Sequence, residues 1–185
     1  MRFYHGSHED GLKILSLEKS KDGNIYMTND YATSLMYAGN GFRSWEFHED
    51  ENKLYIVERC EDMVKKLYGG RKCYIYTTED VEDYEIITQK PTNKKAYIVK
   101  HDVKLVEKET IDDAYQKIME LYSQGKIGIR FWKDMPKERQ DRLTKSIKEH
   151  FNRETMGKER HISEETYNSI VKLFPYLALD EKDKE

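Results

Sequence analysis

Three adjacent residues near the start of the chain, His5, Gly6 and Ser7, have the chemistry to bind a small polar ligand. The imidazole and the hydroxyl can each donate and accept hydrogen bonds, and glycine has no Cβ, so a ligand can approach its backbone closely. Together these groups can pair with both ends of a carboxamide and with a sugar hydroxyl. The same tripeptide is also typical of an ordinary turn with a locally satisfied imidazole.

Two tyrosines farther along add a second feature of the same kind. Tyr26 lies in a predicted strand, and Tyr37 lies about two turns into the helix predicted after it. Rings in these places can face each other across a slot near the first strand and hold a flat heteroaromatic group between them. Taken singly, each tyrosine is more typical of a core residue whose hydroxyl reaches solvent.

Local signals predict the elements that position these residues. A short strand over 2–5 leads into His5-Gly6, and a second strand over 25–28 follows the turn signal of residues 21–24. Asn29 is the predicted N-cap of a helix over 30–38, because apolar residues recur behind it every three or four positions and Gly39 supplies a stop.

The remainder of the chain predicts a mixed α+β fold. Strands are expected near 42–47, 53–58, 72–77, 84–88 and 96–99, with a turn over 48–52 and a helix near 60–68 that ends at Gly69-Gly70. Beyond residue 110 helices dominate. One carries Ile111 on its apolar face and ends at Gly125, a second covers 137–153, and Ser163 caps a third, while an edge strand is expected over 127–132.

Composition excludes several classes of function. The net charge of −3 gives no overall basic footprint, so nucleic acid is not expected as the main partner. Two cysteines match neither a metal template nor a disulfide framework, and the chain opens without a targeting signal, which predicts a cytoplasmic protein with no bound metal. No apolar run approaches the roughly 18–20 residues that cross a bilayer, so no membrane span is expected.

Three stretches resemble the first two signature segments of the ADP-ribosyltransferase superfamily: Tyr4-His5-Gly6-Ser7, Gly23-x-Ile25-Tyr26-Met27-Thr28 and Ser34-Leu35-Met36-Tyr37-Ala38. The likeness is greatest to the branch with a His-Tyr-Glu triad, which includes the poly-ADP-ribose polymerases, and the chain is similar to uncharacterised bacterial proteins that open with YHGS. The resemblance is specific over the first forty residues and loose up to about residue 95. It implies a split β-sheet core over 1–110, a helical part of the same domain over 111–179 and a frayed tail over 180–185.

The resemblance also implies a pocket for the nicotinamide end of NAD, the substrate of that family. His5 would bind the adenosine ribose, Gly6 would hold the carboxamide through its backbone with help from Ser7, and the rings would stack on the nicotinamide. The implied donor pocket comprises His5, Gly6, Ser7, Tyr26, Thr28 and Tyr37. Of these, His5 and Tyr26 would be members of the catalytic triad.

The glutamate of the triad has no clear counterpart. The family places it in a strand segment to which Lys95-Ala96-Tyr97-Ile98-Val99 is the nearest match, and this puts Ala96 at the glutamate position. If that alignment is offset, Glu85 or Gln89 on the preceding strand are the catalytic candidates, with Glu58 a more distant one.

Three hypotheses about function remain open at this point. The first is an NAD-dependent enzyme that transfers one ADP-ribose to an unknown acceptor, such as a protein, or hydrolyses NAD. The second is a catalytically silent binding module of the same fold, which Ala96 favours. The third is an RNA 2′-phosphotransferase, which needs clustered arginines to grip a phosphate, whereas Arg43, Arg59 and Arg71 are scattered.

Overall fold

The computed structural model describes residues 1–20, 22–39, 45–48, 53–89, 94–156 and 164–177, and it has a mixed α+β fold. Its strands are β1 (Tyr4–Ser7), β2 (Ile14–Leu15), β3 (Ile25–Met27), β4 (Trp45–His48), β5 (Lys53–Val57), β6 (Cys73–Thr78), β7 (Glu85–Gln89), β8 (Lys94–Val99), β9 (Val103–Ile111) and β10 (Ile127–Arg130). Its helices are α1 (Tyr31–Gly39), α2 (Met63–Tyr68), α3 (Ala114–Ser123), α4 (Lys137–Met156) and α5 (Glu164–Leu173).

The chain divides into two compact units. The first comprises Met1–Val57 and Leu67–Ile129, and the second comprises Glu58–Lys66 and Arg130–Glu185. The first unit therefore extends past residue 110, beyond which helices were expected to dominate, and it includes α3. No helix in the described part of the chain is long and apolar enough to cross a bilayer.

Two antiparallel sheets of the first unit diverge from a single shared pair of residues. One sheet has the strand order β1-β6-β9-β2 and the other has the order β3-β8-β7. Among the described residues they meet where Tyr4 and Thr28 exchange two backbone hydrogen bonds, of 2.7 and 3.0 Å. Beyond this pair β1 and β3 separate, and a cleft opens between them.

An apolar core fixes the two sheets behind that junction. The Phe3 ring contacts Tyr97 with its centroid 4.6 Å away and meets Tyr84 edge-on at 5.1 Å. Both sheets contribute to this core, so burial of these side chains holds the junction together. Its buried members are Phe3, Leu15, Ile25, Met27, Val81, Tyr97, Val99 and Val103.

Helix α1 is anchored at its N-terminus by the carboxylate of Asp30. Asp30 caps it by accepting the backbone N–H of Thr33 at 3.2 Å, and Lys94 lies 3.1 Å from the same carboxylate. The prediction of Asn29 as the cap is therefore wrong by one residue. Asn29 is exposed, whereas Asp30 has both the helix amide and the lysine to bind.

The second unit is organised around a buried carboxylate and helix packing. Glu58 accepts backbone N–H groups from Val64 at 3.1 Å and from Trp132 at 2.9 Å. Phe151 of α4 and Tyr167 of α5 lie with ring centroids 5.5 Å apart. Glu58 thus joins the segment 58–66 to the residues that precede α4.

Several predicted elements are confirmed and others are wrong. Gly23, Gly70 and Gly125 adopt the left-handed conformation that ends the predicted turn or helices. Ile111, expected on a helix, is instead the last residue of β9, and Asp113 caps α3 by accepting two backbone N–H groups. Residues 49–52, Ser163 and the tail from 180 onward, for which a turn, a cap and a frayed end were expected, lie outside the described residues.

Candidate functional site

A cleft of about 690 Å³ opens between β1, β3 and the start of α1. All six residues predicted for the donor pocket line it, together with residues that sequence analysis did not single out. The described lining comprises Tyr4, His5, Gly6, Ser7, His8, Asp22, Tyr26, Met27, Thr28, Thr33, Ser34, Tyr37, Ile87, Lys95 and Ala96. The strands and the helix thus bring the predicted imidazole and both predicted rings to one cavity.

His5 is held in one tautomer by the opposite strand. Its Nδ1 lies 3.2 Å from the carbonyl oxygen of Tyr26. A carbonyl can only accept, so Nδ1 carries the proton and Nε2 is the acceptor in the neutral ring. Burial lowers the pKa of His5 more than the contact with the Tyr26 carbonyl raises it, so the imidazole is neutral at pH 7.

The backbone of Gly6 faces the cleft. Because Tyr4 bonds to Thr28 on the β3 side, alternation along the strand directs the N–H and C=O of Gly6 to that side too. On that side β3 has already diverged, and no other described strand pairs with β1 there. The opposite side of β1 is paired with β6. A donor and an acceptor therefore lie side by side on the cleft wall.

The missing side chain of Gly6 serves packing rather than ligand approach. A Cβ at this position would lie 1.9 Å from the carbonyl oxygen of Ser34 and 2.9 Å from the Cβ of Ala38. Both residues belong to α1, so glycine allows the helix to lie directly on β1. This close contact also sets the place of Tyr37, three residues after Ser34 on the same helix.

The two predicted rings differ in how they are held. Tyr26 points outward from β3 and is 37% exposed, and its hydroxyl donates to Oδ2 of Asp22. This hydrogen bond raises the pKa of Tyr26 and lowers that of Asp22, which keeps the pair as phenol and carboxylate. Tyr37 is half-buried on α1 and lines the same cleft.

Ser7 and Thr28 mainly shape the local backbone. The Ser7 hydroxyl oxygen accepts the N–H of Glu9 at 3.0 Å, which leaves its proton to donate elsewhere. The Thr28 hydroxyl oxygen accepts the N–H of Asp30 at 3.1 Å and so supports the turn into α1. Both side chains nevertheless line the cleft.

The candidates for the third triad position are spread apart. Ala96 lines the cleft and is buried, so it offers a methyl group there. Glu85 is exposed, lies 3.8 Å from Lys100 and does not line the cleft. The side chain of Gln89 lies outside the described residues, and Glu58 belongs to the second unit.

Asp22 and Lys95 are cleft residues that sequence analysis missed. In the sequence Asp22 is part of a turn signal, and its position four residues before Tyr26 across a glycine turn is the feature that could indicate the contact between them. Lys95 is exposed beside Ala96 and adds a positive charge to the wall. The described lining of the cleft thus includes one carboxylate, one ammonium group, two imidazoles and three phenol rings.

Comparisons with known proteins do not assign a family. Scans of the chain against protein-family models, curated proteins and solved structures return no match.

Proposed function

We propose that this chain is an ADP-ribosyltransferase-like protein that binds NAD in the cleft between β1 and β3 and cleaves its bond to nicotinamide. The ADP-ribose passes to a single acceptor or to water. The observation that carries the proposal is the convergence of His5, Tyr26 and Tyr37 on one cavity of about 690 Å³. A volume of this order suits a small-molecule ligand, since such sites measure roughly 300–1,000 Å³.

The polar groups of the cleft match the donor and acceptor groups of the proposed substrate. A carboxamide carries one acceptor and one donor on the same carbon, and the backbone of Gly6 presents the complementary pair. Nε2 of His5 can accept a hydrogen bond from a ribose hydroxyl, because Nδ1 carries the proton and donates it to the Tyr26 carbonyl. Tyr26 and Tyr37 supply the aromatic walls for the pyridine ring.

The divergence of the two sheets supports a split-sheet core of the ADP-ribosyltransferase kind. The shared pair Tyr4 and Thr28 closes one end of the cleft, and α1 covers the adjacent face of β1. The donor pocket of the proposal lies where this junction opens.

Ala96 limits the reaction to a simple one and favours a second candidate function. The buried methyl group of Ala96 cannot accept a hydrogen bond from a ribose hydroxyl or polarise an acceptor hydroxyl. We therefore do not propose that the protein builds poly-ADP-ribose chains. The second candidate is a binding module that holds NAD in the same cleft without reaction.

Incubating the purified protein with NAD separates these functions. Free nicotinamide detected by mass spectrometry, with or without a mass gain on the protein, supports the enzyme. A rise in melting temperature without nicotinamide release supports the silent module. With NAD at 100 times its Kd, mass action adds about 2.7 kcal/mol to stability, or roughly 5–11 °C for a chain of this size.

A pair of histidine variants tests the location of the site. His5→Ala is expected to abolish the thermal response to NAD while leaving the fold intact. His101→Ala is the control, because His101 is exposed, pairs with Asp83 and lies outside the cleft. An unchanged response in His5→Ala contradicts the proposed site.

A further inference from the structure

Asp22 is the only acidic residue in the described lining of the cleft. The position where the resemblance places a glutamate carries the methyl group of Ala96, which is 5% exposed. A negative charge at this cavity, within the part of the chain the structure describes, therefore comes from the turn before β3 and not from β8.

The turn holds the Asp22 carboxylate and leaves one acceptor position open. Oδ1 lies 3.1 Å from the Ser20 hydroxyl, whose proton is shared with the Asn24 carbonyl, and 3.2 Å from the backbone nitrogen of Asn24, whose N–H is shared with the Ser20 oxygen. Oδ2 accepts the phenol of Tyr26. Each carboxylate oxygen has two lone pairs, so a second acceptor position remains on Oδ2, beside the Tyr26 hydroxyl.

The protonation state of Asp22 suits an electrostatic role. The hydrogen bond from Tyr26 is the largest cause of the lowered pKa of Asp22, and the bonds from Ser20 and Asn24 act in the same direction. The carboxylate is therefore ionised at neutral pH. Its orientation is fixed by the hydrogen bond from Tyr26, whose ring lines the cleft.

We propose that Asp22 is a catalytic residue that replaces the glutamate absent at Ala96: it accepts a ribose hydroxyl of NAD and stabilises the positive charge that develops on that sugar. This inference rests on the proposed function. It adds that the charge comes from a different element of the fold and is coupled through Tyr26 to the wall that holds the nicotinamide.

The reaction balances with water as the acceptor. The bond between the ribose C1′ and the nicotinamide nitrogen breaks, and its electron pair goes to that nitrogen, which neutralises the pyridinium. Positive charge develops on C1′ and the ring oxygen, where a nearby carboxylate lowers the barrier. A lone pair of water forms the new bond to C1′, its proton leaves to solvent, and the products are nicotinamide and ADP-ribose.

The test compares four variants by nicotinamide release at saturating NAD and by NAD affinity. Asp22→Asn keeps an oxygen that can accept from Tyr26 but removes the charge, and Asp22→Glu keeps the charge. Tyr26→Phe removes the phenol that orients the carboxylate. Asp83→Asn is the control, because Asp83 is an exposed aspartate outside the cleft that also accepts a side-chain hydrogen bond.

The expected result is a drop in kcat for Asp22→Asn of about tenfold or more, with NAD affinity within about twofold of the wild type. Asp22→Glu is expected to recover part of the loss, Tyr26→Phe to lose activity in the same direction, and Asp83→Asn to match the wild type. If Asp22 had a merely structural role, Asp22→Asn would lower thermal stability and would not lower kcat selectively while NAD affinity stayed unchanged.

The outcomes distinguish the two proposals. Wild-type turnover with an equal kcat in Asp22→Asn overturns the role of Asp22 and leaves the proposed enzyme intact. NAD binding without any turnover in the wild type overturns the catalytic role and supports the silent module. If NAD does not bind the wild type, the proposed function fails and the inference fails with it.

Discussion

Replacing Gly6 by alanine is expected to displace α1 from β1. The added Cβ would lie 1.9 Å from the Ser34 carbonyl oxygen, and contacts under 3.0 Å are essentially never seen for real Cβ atoms. The helix backbone has to move away by about 1 Å, because the obstructing atom is a main-chain oxygen and not the end of a flexible side chain. Tyr37, on the same helix, moves with it.

The cost follows from this overlap. Inserting a methyl group into a packed interface typically costs about 1–3 kcal/mol. For a chain of this length each kcal/mol corresponds to roughly 2–4 °C, so the melting temperature should fall by about 2–12 °C. Because the displaced helix forms one wall of the cleft, the stabilisation by NAD should be lost as well.

Thermal melts followed by circular dichroism, with and without NAD, measure both effects. Gly11→Ala is the comparison, because Gly11 has nothing within 4 Å of its would-be Cβ and its positive φ gives a cost from backbone strain alone. It should destabilise the chain and keep the NAD response. Adding Ala38→Gly to Gly6→Ala should not restore stability, since the Ser34 backbone remains in the way.

Two results refute this reasoning. A melting temperature for Gly6→Ala within about one degree of the wild type means that the strand and the helix tolerate a side chain between them. Recovery in the double variant means that the Ala38 methyl group, and not the backbone, is the obstacle.

Three further predictions concern binding, pH and thiol reactivity. Tyr37→Leu should weaken nicotinamide binding by about 0.5–1.5 kcal/mol, or roughly 2- to 13-fold in Kd by calorimetry, and an unchanged Kd would assign Tyr37 to packing alone. Burial lowers the pKa of His5 below the value of about 6.5 in the unfolded chain, so the unfolded state takes up the proton first. The stability from the neutral ring is thus present above about pH 6.5 and is lost as the pH falls from there to the lowered pKa. Urea titrations at about pH 7.5 and 5.5 should show a smaller loss for His5→Gln than for the wild type, and equal losses contradict the assignment. Burial raises the pKa of Cys60 and of Cys73 to about 11, so a thiol reagent at neutral pH should label them only when denaturant is added, and rapid labelling of the native protein would be the contrary result.

The elements around the cleft were predictable because their signals are local. The turn over Gly23, the strand that carries Tyr26 and the periodic apolar face of α1 depend on near neighbours in the sequence. The capping residue was misassigned because Asn29 and Asp30 are both good caps in isolation. The partner that Asp30 finds in Lys94 comes from a distant part of the chain.

Strand β9 shows where local signals fail. Val103 and Leu105 alternate with Lys104 at its start, but the residues that follow are exposed and mostly charged or polar until Ile111, so the apolar alternation is not sustained. It is a strand because β6 pairs with it along nearly its whole length, from Cys73 opposite Ile111 to Thr78 opposite Leu105. Tertiary pairing of this kind outweighs intrinsic preference.

The candidate site was predictable in its residues and less so in its physical details. His5, Tyr26 and Tyr37 were chosen by type and spacing, and the structure brings them to one cavity. The carboxylate of Asp22 was missed, since its contact with Tyr26 depends on how the intervening turn folds. The packing role of Gly6 was missed because it depends on the approach of a helix that comes almost thirty residues later.

On the side of β1 that faces the cleft, no described strand pairs with Gly6, because β3 turns away from β1 after Tyr4 and Thr28. A group that pairs with the N–H and C=O of Gly6 must itself offer one acceptor and one donor side by side. A paired strand offers both, and so does a primary amide. Nicotinic acid, ionised at neutral pH, brings only acceptors and sets one of them against the Gly6 carbonyl. If the cleft binds NAD as proposed, its main chain should favour nicotinamide over nicotinic acid, and a competition measurement between these two compounds tests this.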